Sequence, residues 1–449
     1  MPKVVSVFCG CGGFDLGFKE AGFELVYACD NDPAAVDCYS RNLDRNVFVR
    51  DVTTPEFHAD ISNVKSCDVV LGGFPCQGFS KAGPKQEGDD RNTLYVEMRR
   101  VVAKLRPTVF VAENVDGIRQ NFGGSYLNRI VADFEQIGYD VEHHIFDATA
   151  FGVPQHRRRI FFVGTRRGNG NPFRWPEPTH IAGRRNGEFK IAEREGPSLF
   201  DVSEEGASRK PRLKVRTIKD AIHDLTRVRP EVPDHAIRSA WPTKYEAVFQ
   251  AVKQGQKLCN VRHASTSVYT WQIPGVFGHV TEREVLVLET ISRHRRHKKY
   301  GDIPNGNPLP VDEIERLAGV TGLKREVAAL VTKNYLKQIQ GKYDLKGAMF
   351  CSGLFKRPLW NEPAPTVLTN FHNPRYFLHP LEDRPFTLRE CARLQSFPDS
   401  FQITGDGSKV DLVSGYRLIG NAVPPLVSRH FAEAVLHYLC HKPETLVAQ

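Results

Sequence analysis

The sequence lacks long hydrophobic runs. No apolar stretch approaches the roughly 18 residues that a membrane-spanning helix requires. Residues 1–8 enter a strand pattern at once, without the apolar segment of a secretory signal peptide. We therefore expect a cytoplasmic protein that contacts no membrane.

Cysteines in regularly spaced sets are also lacking. The 10 cysteines are scattered over 449 residues, and without a secretory signal this favours reduced thiols over a disulfide framework. Two close pairs have metal-binding chemistry, Cys9-x-Cys11 and His294-x-x-His297, but neither has a second pair at zinc-finger spacing. We expect no metal ion.

Acidic residues are too few to balance the basic ones. The chain has 52 Asp and Glu against 61 Lys and Arg, a formal net charge of +9, which favours a polyanionic partner. The basic residues gather in clusters at 155–159, 166–167, 184–185, 209–216 and 293–299. Each cluster alone is compatible with a solvated face, but most of them share one half of the chain.

A thiol follows one of the buried strands predicted in the first part of the chain. The length of 449 residues favours two lobes. In the first lobe the run Val69 to Leu71 is short and β-branched, typical of an inner parallel strand, and the glycines that follow end it before Pro75 and Cys76. Ligands bind at the carboxyl ends of such strands, so Cys76 is a candidate nucleophile. The alternative is a buried structural cysteine.

Glycines and acids follow the other strands. The turn at residues 8–13 lets the backbone approach a nucleotide-like cofactor at a helix N-terminus, although its spacing differs from G-x-G-x-x-G. Asp30 ends the second strand about 20 residues later, where an acid accepts hydrogen bonds from ribose hydroxyls. The alternative is that Asp30 is the N-cap of a helix that begins at Pro33, and both roles can hold together. Asp51 lies at the tip of the third strand.

A second reactive group follows the fifth strand. Glu113 ends this strand beside Asn114, and Arg157 and Arg159 alternate into a later strand, so that they share one face. The alternatives are an ordinary surface acid and an exposed basic edge. Residues 81–92 have no apolar periodicity and are typical of a lid over a substrate.

The remainder of the chain has weaker patterns. Residues 169–384 are rich in Pro, Gly and Arg and predict a second lobe, with helices at 281–295 and at 311–340, the latter interrupted near Gly319 and Gly322. A capped helix is predicted at 387–399, and a last helix at 426–439. We expect the apolar face of the last helix to pack against the first lobe.

A thiolate beside a carboxylic acid suits an electrophilic ring that is attacked and protonated together. Cytosine meets this requirement. Sulfur would attack C6 while Glu113 protonates or hydrogen-bonds N3, C5 would take a methyl group, and loss of the C5 proton and the thiol would restore aromaticity. A nearby arginine would favour the Cys76 thiolate.

These residues resemble the ordered motifs of the DNA (cytosine-5)-methyltransferase family, over nearly the whole chain except the middle of the second lobe. The stretches that carry the resemblance are 8–13, Gly73-Phe74-Pro75-Cys76-Gln77, Glu113-Asn114-Val115, 155–159, 363–369, 389–399 and 420–425. The chain departs from the family pattern at Ser6, where aspartate is usual, and at Asn31, where an aromatic residue often stacks on adenine.

The resemblance implies a role for each matching residue. The catalytic residues would be Cys76 as the nucleophile, Glu113 as the partner of N3, and Arg157 and Arg159, which would position the base and its phosphate. S-adenosyl-L-methionine would be held by Phe8, Gly10, Cys11, Gly12, Asp30, Asn31, Asp51, Val52, Pro75, Leu94, Asn421 and Ala422, with Asp51 facing the adenine amino group. Substrate contacts would come from Phe74, Gln77, Ser80, Asn114 and Gln155.

The resemblance also implies a fold and a domain plan. The fold class is α/β, a Rossmann-like methyltransferase core with a mixed, mostly parallel sheet and helices on both faces, plus a smaller irregular target-recognition domain. Residues 1–170 would form the catalytic and cofactor-binding domain, completed by the C-terminal helix 415–449. Residues 171–385 would form the target-recognition domain, and 386–414 a bridging segment.

The implied activity is methylation of C5 of a flipped-out cytosine in a specific double-stranded DNA sequence, with S-adenosyl-L-homocysteine as the second product. We expect a monomeric prokaryotic modification enzyme at the nucleoid, solitary or with a restriction endonuclease that acts separately. Two alternatives stay open, a transfer-RNA cytosine-5 methyltransferase and a catalytically silent DNA-binding relative. The long second lobe argues against the first, and the intact Cys76, Glu113 and Arg157 argue against the second.

Overall fold

The chain forms two compact units in the computed structural model. The model describes residues 1–75, 94–119, 124–168, 172–180, 184–185, 188–189, 213–226, 232–236, 241–260, 264–303, 306–346, 353–405 and 410–441. Unit 1 comprises Met1–His235, Asn361–Asn370 and Thr387–Gln449, and unit 2 comprises Ala236–Trp360 and Phe371–Phe386. The division into two compact units does not test which residues recognise the target. The target-recognition role of residues 171–385 therefore stays a prediction.

A seven-stranded sheet forms the centre of unit 1. Its strands are β1 (Lys3–Val7), β2 (Glu24–Asp30), β3 (Val47–Val49), β4 (Val69–Gly72), β5 (Val109–Val115), β6 (Tyr139–Asp147) and β7 (Arg158–Arg166). Their order is β3-β2-β1-β4-β5-β7-β6. Only β7 runs antiparallel to both of its neighbours, which confirms the predicted mixed, mostly parallel sheet.

Helices cover both faces of this sheet. They are α1 (Gly13–Glu20), α2 (Pro33–Asn42), α3 (Pro55–Asn63), α4 (Tyr95–Leu105) and α5 (Ser125–Glu135). Later parts of the chain add β8 (Arg184–Arg185), β9 (Glu188–Phe189), α6 (Ile218–Ile222) and, beyond unit 2, α12 (Leu388–Leu394), α13 (Leu412–Asn421) and α14 (Pro425–Cys440).

Two hydrophobic clusters correspond to the two faces. One joins β1, β4 and β5 to Phe14 and Phe18 of α1 and to Phe431 and Val435 of α14. The other joins the same strands to α3, α4 and α5. Because α1 packs directly against α14, the beginning and the end of the chain share one core.

Several helices of unit 1 begin at a side-chain cap. Asp32 caps α2, with Pro33 as its first residue, and Thr54 caps α3. Thr387 and Glu390 form a capping box at the start of α12. The alternative of an N-cap role for Asp30 is therefore wrong, because the structure gives that role to Asp32.

Unit 2 consists mainly of short helices, with a parallel pair of two-residue strands and an antiparallel hairpin. Its elements are α7 (Thr243–Ala251), β10 (Lys257–Leu258), β11 (Ser267–Val268), α8 (Pro274–Phe277), α9 (Glu282–His294), α10 (Val311–Ala318), α11 (Lys324–Thr332), β12 (Leu336–Ile339) and β13 (Lys342–Leu345). The predicted break at Gly319 and Gly322 is confirmed. The prediction of helix up to residue 340 is wrong, because the chain turns into the antiparallel hairpin β12–β13.

No helix in the described part of the chain combines the length and the apolar character needed to cross a membrane.

Candidate active site

The site is built at the carboxyl ends of β4 and β5, which lie side by side. Gly72 of β4 pairs with Ala112 of β5 in parallel register. The next residues along β5, Glu113 and Asn114, therefore lie beside the segment that leaves β4. The Asn114 amide nitrogen donates to the Phe74 carbonyl oxygen at 3.0 Å. This bond fixes the backbone two residues before Cys76.

Glu113 is a buried carboxylate with an arginine beside it. The Arg159 Nε atom lies 2.9 Å from Glu113 Oε1, because Arg159 of β7 pairs in register with Val115, two residues further on the same face of β5. Burial raises the pKa of Glu113, and the charges of Arg159 and Arg157 partly oppose that rise. The carboxyl group is therefore easier to protonate than an ordinary glutamate.

The Glu113 carboxyl group lies against a charged neighbour. Its buried Oε1 atom is 2.9 Å from Arg159 Nε, and the charge and hydrogen bonding of Arg159 act against the rise in its pKa. A carboxylate oxygen can accept a second hydrogen bond, and a protonated carboxyl group can donate one. The arrangement therefore suits a ligand that offers or accepts a proton at this point.

Arg157 is almost fully buried, at 1% exposure. Its guanidinium donates to the carbonyl oxygens of Gly420 at 3.1 Å and of Val367 and Asn421 at 3.4 Å. Burial lowers its pKa, the charge of Arg159 lowers it further, and Glu113 opposes both effects. Arg157 thus ties the end of α13 to the region around Glu113.

Two buried glutamines continue this connection. The Gln155 amide nitrogen donates to Leu394 O at 2.9 Å and to Gln395 Oε1 at 2.6 Å, and its oxygen accepts from Val367 N at 2.9 Å. Gln395 in turn donates to Ile419 O at 2.7 Å. These bonds are internal, and the substrate contact predicted for Gln155 stays a prediction.

The glycine turn after β1 adopts the left-handed backbone conformation. Gly10 has φ 56° and Gly12 has φ 91°. A Cβ atom on Gly12 would clash with the Leu43 side chain, whereas one on Gly10 would meet nothing within 4 Å. Gly12 is therefore required by packing, while Gly10 borders open space that a ligand can enter.

The Asp30 carboxylate holds this turn. It accepts from Gly10 N at 2.9 Å through one oxygen and from Asp32 N at 3.0 Å through the other. Since each carboxylate oxygen can accept a second hydrogen bond, Asp30 can bind a hydroxyl while it orders the turn.

The other predicted cofactor residues gather along the same edge of the sheet. Asp51 follows β3, and hydrogen bonds from Thr53 N at 2.9 Å and Thr53 Oγ1 at 2.7 Å lower its pKa. Cys11 donates its thiol to Leu418 O at 3.8 Å, which brings α13 to the glycine turn. The exposed members are Asn31, Asp51 and Asn421, the half-buried ones are Phe8, Gly10, Asp30, Pro75, Leu94 and Ala422, and the buried ones are Cys11, Gly12 and Val52. This set fits a nucleoside-bearing cofactor, since it combines an open glycine turn with two carboxylates.

A buried polar cluster next to the glycine turn was not predicted from the sequence. Asp15 of α1 is fully buried and accepts hydrogen bonds from Ser6 Oγ at 3.0 Å and Tyr39 Oη at 2.9 Å. Burial raises its pKa to about 6. The serine in place of the usual aspartate thus bonds to Asp15. An acid between Phe14 and Leu16 in an amphipathic helix was the available signal.

Several predictions fall outside the described residues. These are the predictions for Cys76, Gln77 and Ser80 and for the lid at 81–92. In the part of the chain that the structure describes, no group of three or more His, Cys, Asp or Glu side chains forms a metal-binding arrangement. The expectation that the reaction needs no metal stays a prediction.

Comparisons with known proteins agree with this geometry. A family model of C-5 cytosine-specific DNA methylases matches residues 2–437. The chain is 31% identical to the type II methyltransferase M.AgeI of Thalassovita gelatinovora, over 96% of this chain and 99% of the relative. It is 30% identical to M.NgoFVII of Neisseria gonorrhoeae, over 97% and 86% of the two chains.

A solved structure supports the fold. A crystal structure of a candidate DNA modification methyltransferase, encoded within a prophage of E. coli, superposes with a TM-score of 0.53 at 22% identity. The match covers 98% of this chain and 100% of that one.

Proposed function

The chain belongs to the family of C-5 cytosine-specific DNA methylases, and from that membership we propose the details of its reaction. The methyl group comes from S-adenosyl-L-methionine, and the acceptor is C5 of a cytosine in one double-stranded DNA sequence. Because the curated relatives are type II methyltransferases, we infer a prokaryotic modification enzyme that can act beside a separate endonuclease.

The observation that carries this proposal is the buried carboxyl group of Glu113 at the end of β5. Its pKa is raised by burial, and the Arg159 guanidinium lies 2.9 Å from its Oε1 atom. N3 of an extruded cytosine offers the matching group. The bond from Asn114 to Phe74 orders the backbone at the end of β4, and we infer that Cys76, two residues later, reaches the same base.

The reaction then balances through this chain's own residues. The target base leaves the duplex, at a cost of a few kcal/mol in unstacking. The Cys76 sulfur forms a bond to C6 while Glu113 donates to N3, and electron density moves to C5. S-adenosyl-L-methionine, when bound, would supply an electrophilic methyl group by breaking its sulfonium S–CH3 bond, with S-adenosyl-L-homocysteine as the leaving group. With the methyl group on C5, a base removes the C5 proton, the Cys76–C6 bond breaks to release the thiolate, and N3 returns its proton to Glu113.

Arg159 and Arg157 set the charge of this site. Their guanidinium groups moderate the pKa of Glu113 and leave a positive environment that favours a thiolate. The glycine turn, Asp30, Asp51 and the residues after α13 would hold the donor at the neighbouring strand ends. We keep residues 171–385 as the target-recognition domain, and exchanging them with those of a relative should change the methylated sequence.

A trapping experiment tests the covalent step. Bisulfite sequencing of DNA from an expressing host first identifies the methylated sequence. A duplex of that sequence with 5-fluorocytosine at the target should then form an adduct in the presence of the donor, which survives a denaturing gel, because fluorine at C5 cannot leave as a proton.

Two cysteine variants complete the test. Cys76→Ala should form no adduct and transfer no methyl group. Cys440→Ala, which changes an exposed thiol at the end of α14, should form the adduct as the unchanged protein does. Methylation by Cys76→Ala, or no adduct with the unchanged protein, would refute the proposed step.

A further inference from the structure

Residues 281–346 of unit 2 follow one continuous order of elements. The helix α9 is followed by an extended residue, Leu309, which pairs antiparallel with Tyr343 of β13. The helices α10 and α11 come next, and the hairpin β12–β13 closes the segment. Helix, strand, helix, helix and hairpin in this order describe a helix-turn-helix that carries a β-wing.

This segment forms most of one hydrophobic core, to which Tyr269 and Trp271 from before the segment also belong. The buried members from the segment are Val287, Leu288, Ile291, Leu309, Ile314, Leu323, Val327, Leu330, Tyr335, Leu336 and Leu345. They come from all three helices and from both strands of the hairpin. The core therefore fixes α11 and the wing relative to each other.

Two ion pairs lock the hairpin and α11 to α9. Arg295 makes a bidentate contact with Asp344, at 2.7 Å for each of the two bonds, and both side chains are buried. Lys333 reaches both oxygens of the buried Glu284 at 2.8 Å. These acidic groups are therefore turned inward.

The connection between α10 and α11 is short and uses glycine. Gly319 ends α10 in the left-handed conformation, with φ 68°, and Gly322 follows with φ 72°. The Glu315 side chain of α10 accepts from Leu323 N at 2.8 Å, just before α11 begins. A brief turn of this kind between two packed helices is the central feature of the helix-turn-helix.

The outward face of α11 is basic or small. Lys324, Arg325, Ala328 and Thr332 are exposed, and their helical spacing places them on one face. The one acidic residue of α11, Glu326, is turned to Arg283 of α9, with 2.6 Å between Oε1 and Nε. Across the described residues, neither Lys324 nor Arg325 has an ion-pair partner.

The wing lies beside this face. Lys324 and Gly341, at the tip of the hairpin, line the same groove. Lys342 next to the tip is exposed. Residues 281–346 contain 13 Lys and Arg and 9 Asp and Glu. Five of these acidic residues form ion pairs with basic residues of the same segment.

We propose that residues 281–346 form a DNA-binding winged-helix module, in which α11 enters the major groove and the wing contacts the phosphate backbone. The major groove, about 12 Å wide, admits one α-helix, and the second helix of a helix-turn-helix is the one that lies there. Lys324, Arg325 and Lys342 supply charges for the phosphates. The module rests on the proposed function in one respect, namely that the substrate is duplex DNA.

Fluorescence anisotropy of the full chain with a labelled duplex of mixed sequence tests this module. The charge reversal Lys324→Glu with Arg325→Glu should weaken binding about tenfold or more at moderate salt, and should reduce the slope of log affinity against log salt by about 1–2. The neutral pair Lys324→Gln with Arg325→Gln should weaken binding less, and it decides the question if the reversed pair does not fold.

The matched control reverses two charges elsewhere. Lys65 and Lys104 are exposed in unit 1, and they precede β4 and β5, at the end of the sheet away from the site. Lys65→Glu with Lys104→Glu should leave binding within about twofold of the unchanged chain, since neither lysine belongs to the module.

The outcomes separate the module from the reaction. If a folded α11 variant binds as tightly as the control, or if the unchanged chain does not bind the duplex, the module does not bind DNA and the proposal is overturned. If the exposed face of α11 binds a protein and not DNA, the α11 variant will bind the duplex as tightly as the control, and the proposal is overturned in the same way. A failure of the proposed methyl transfer would appear separately, as unmethylated plasmid DNA from cells that express the unchanged chain.

Discussion

Asn114 donates its amide hydrogen to the carbonyl oxygen of Phe74 across the ends of two parallel strands, at 3.0 Å. The same side chain accepts from Val115 N at 2.8 Å, so its orientation is determined by both contacts. The residue that precedes Pro75 and Cys76, the proposed nucleophile, is thereby attached to the strand that carries Glu113. A single buried amide joins the ends of these two strands.

Asn114→Ala removes this link. We expect the rate of methyl transfer in a single turnover to fall about 10- to 100-fold, because a misplacement of about 1 Å between reacting groups has an effect of that size. The affinity for DNA should stay within about twofold. Asn63→Ala, at the exposed end of α3, is the matched control, and a full rate in Asn114→Ala would show that the bond does not position the nucleophile.

Glu113→Gln keeps the shape of the side chain but cannot transfer a proton. General acid catalysis contributes about 100- to 10,000-fold, and we expect a loss of that order in methyl transfer, measured with a labelled methyl donor. Binding to the target duplex should change little. A variant that retains a tenth of the rate would rule out proton donation by Glu113.

Arg159→Gln tests the electrostatics of the same carboxyl group. The charge of Arg159 lowers the pKa of Glu113, so its loss should raise that pKa further. If the protonated form is the active one, the pH above which the rate falls should move upward. Single-turnover rates from pH 6 to 9 measure this shift.

Arg158→Gln is the control for that measurement. Arg158 pairs with Asp116 at 3.4 Å and is not among the groups that shift the pKa of Glu113. Its pH profile should match that of the unchanged enzyme. If the rate of Arg159→Gln falls at the same pH as the rate of the unchanged enzyme, Glu113 does not determine the pH profile.

Asp15 should make stability depend on pH. Its folded-state pKa of about 6 lies above its ordinary value of 3.8, so folding favours the protonated form. The stability that this group contributes is therefore gained as the pH falls through 6 and is lost above it. Relative to Asp15→Asn, the free energy of unfolding should rise by about 1 kcal/mol between pH 8 and pH 5.

Urea unfolding at the two pH values measures this difference. Asp140→Asn changes an exposed carboxylate instead and should leave the pH dependence of the unchanged protein in place. If the difference between the unchanged protein and Asp15→Asn is the same at both pH values, Asp15 does not titrate in this range.

The strands of unit 1 and the residues at their tips were predictable from local pattern. Short β-branched runs that end in glycine or an acid predicted β1, β2, β4 and β5, because parallel strands buried on both faces have this composition. Glu113 and Asn114 stood out for the same reason, since polar residues at the end of an apolar run have little role in packing.

The polar cores were not predictable in the same way. Asp15 bonds to Tyr39, 24 residues away, and Gln155 bonds to Gln395, 240 residues away. Asp15 and Gln395 lie in or next to helices, where a polar residue is normally taken as solvent-exposed. Only the tertiary contact distinguishes a buried carboxylate or amide from an exposed one.

The hairpin after α11 was missed for a different reason. Strands of four residues, Leu336–Ile339 and Lys342–Leu345, are too short to establish a period of two against a helical background. The available signal was Gly341 after Gln340. These two residues form the turn and both have positive φ, which is typical of tight two-residue hairpins.

The joining of α1 to α14 in one core has a consequence for biosynthesis. A ribosome makes β1 and α1 before α14, so these segments lack part of the surface that they pack on until residue 435 and its neighbours have emerged. The hydrogen bonds from Arg157 to Gly420 and from Gln155 to Gln395 also cannot form until these later residues have been made. The nascent chain therefore cannot complete the fold of unit 1, which carries the candidate active site, before unit 2 has been translated.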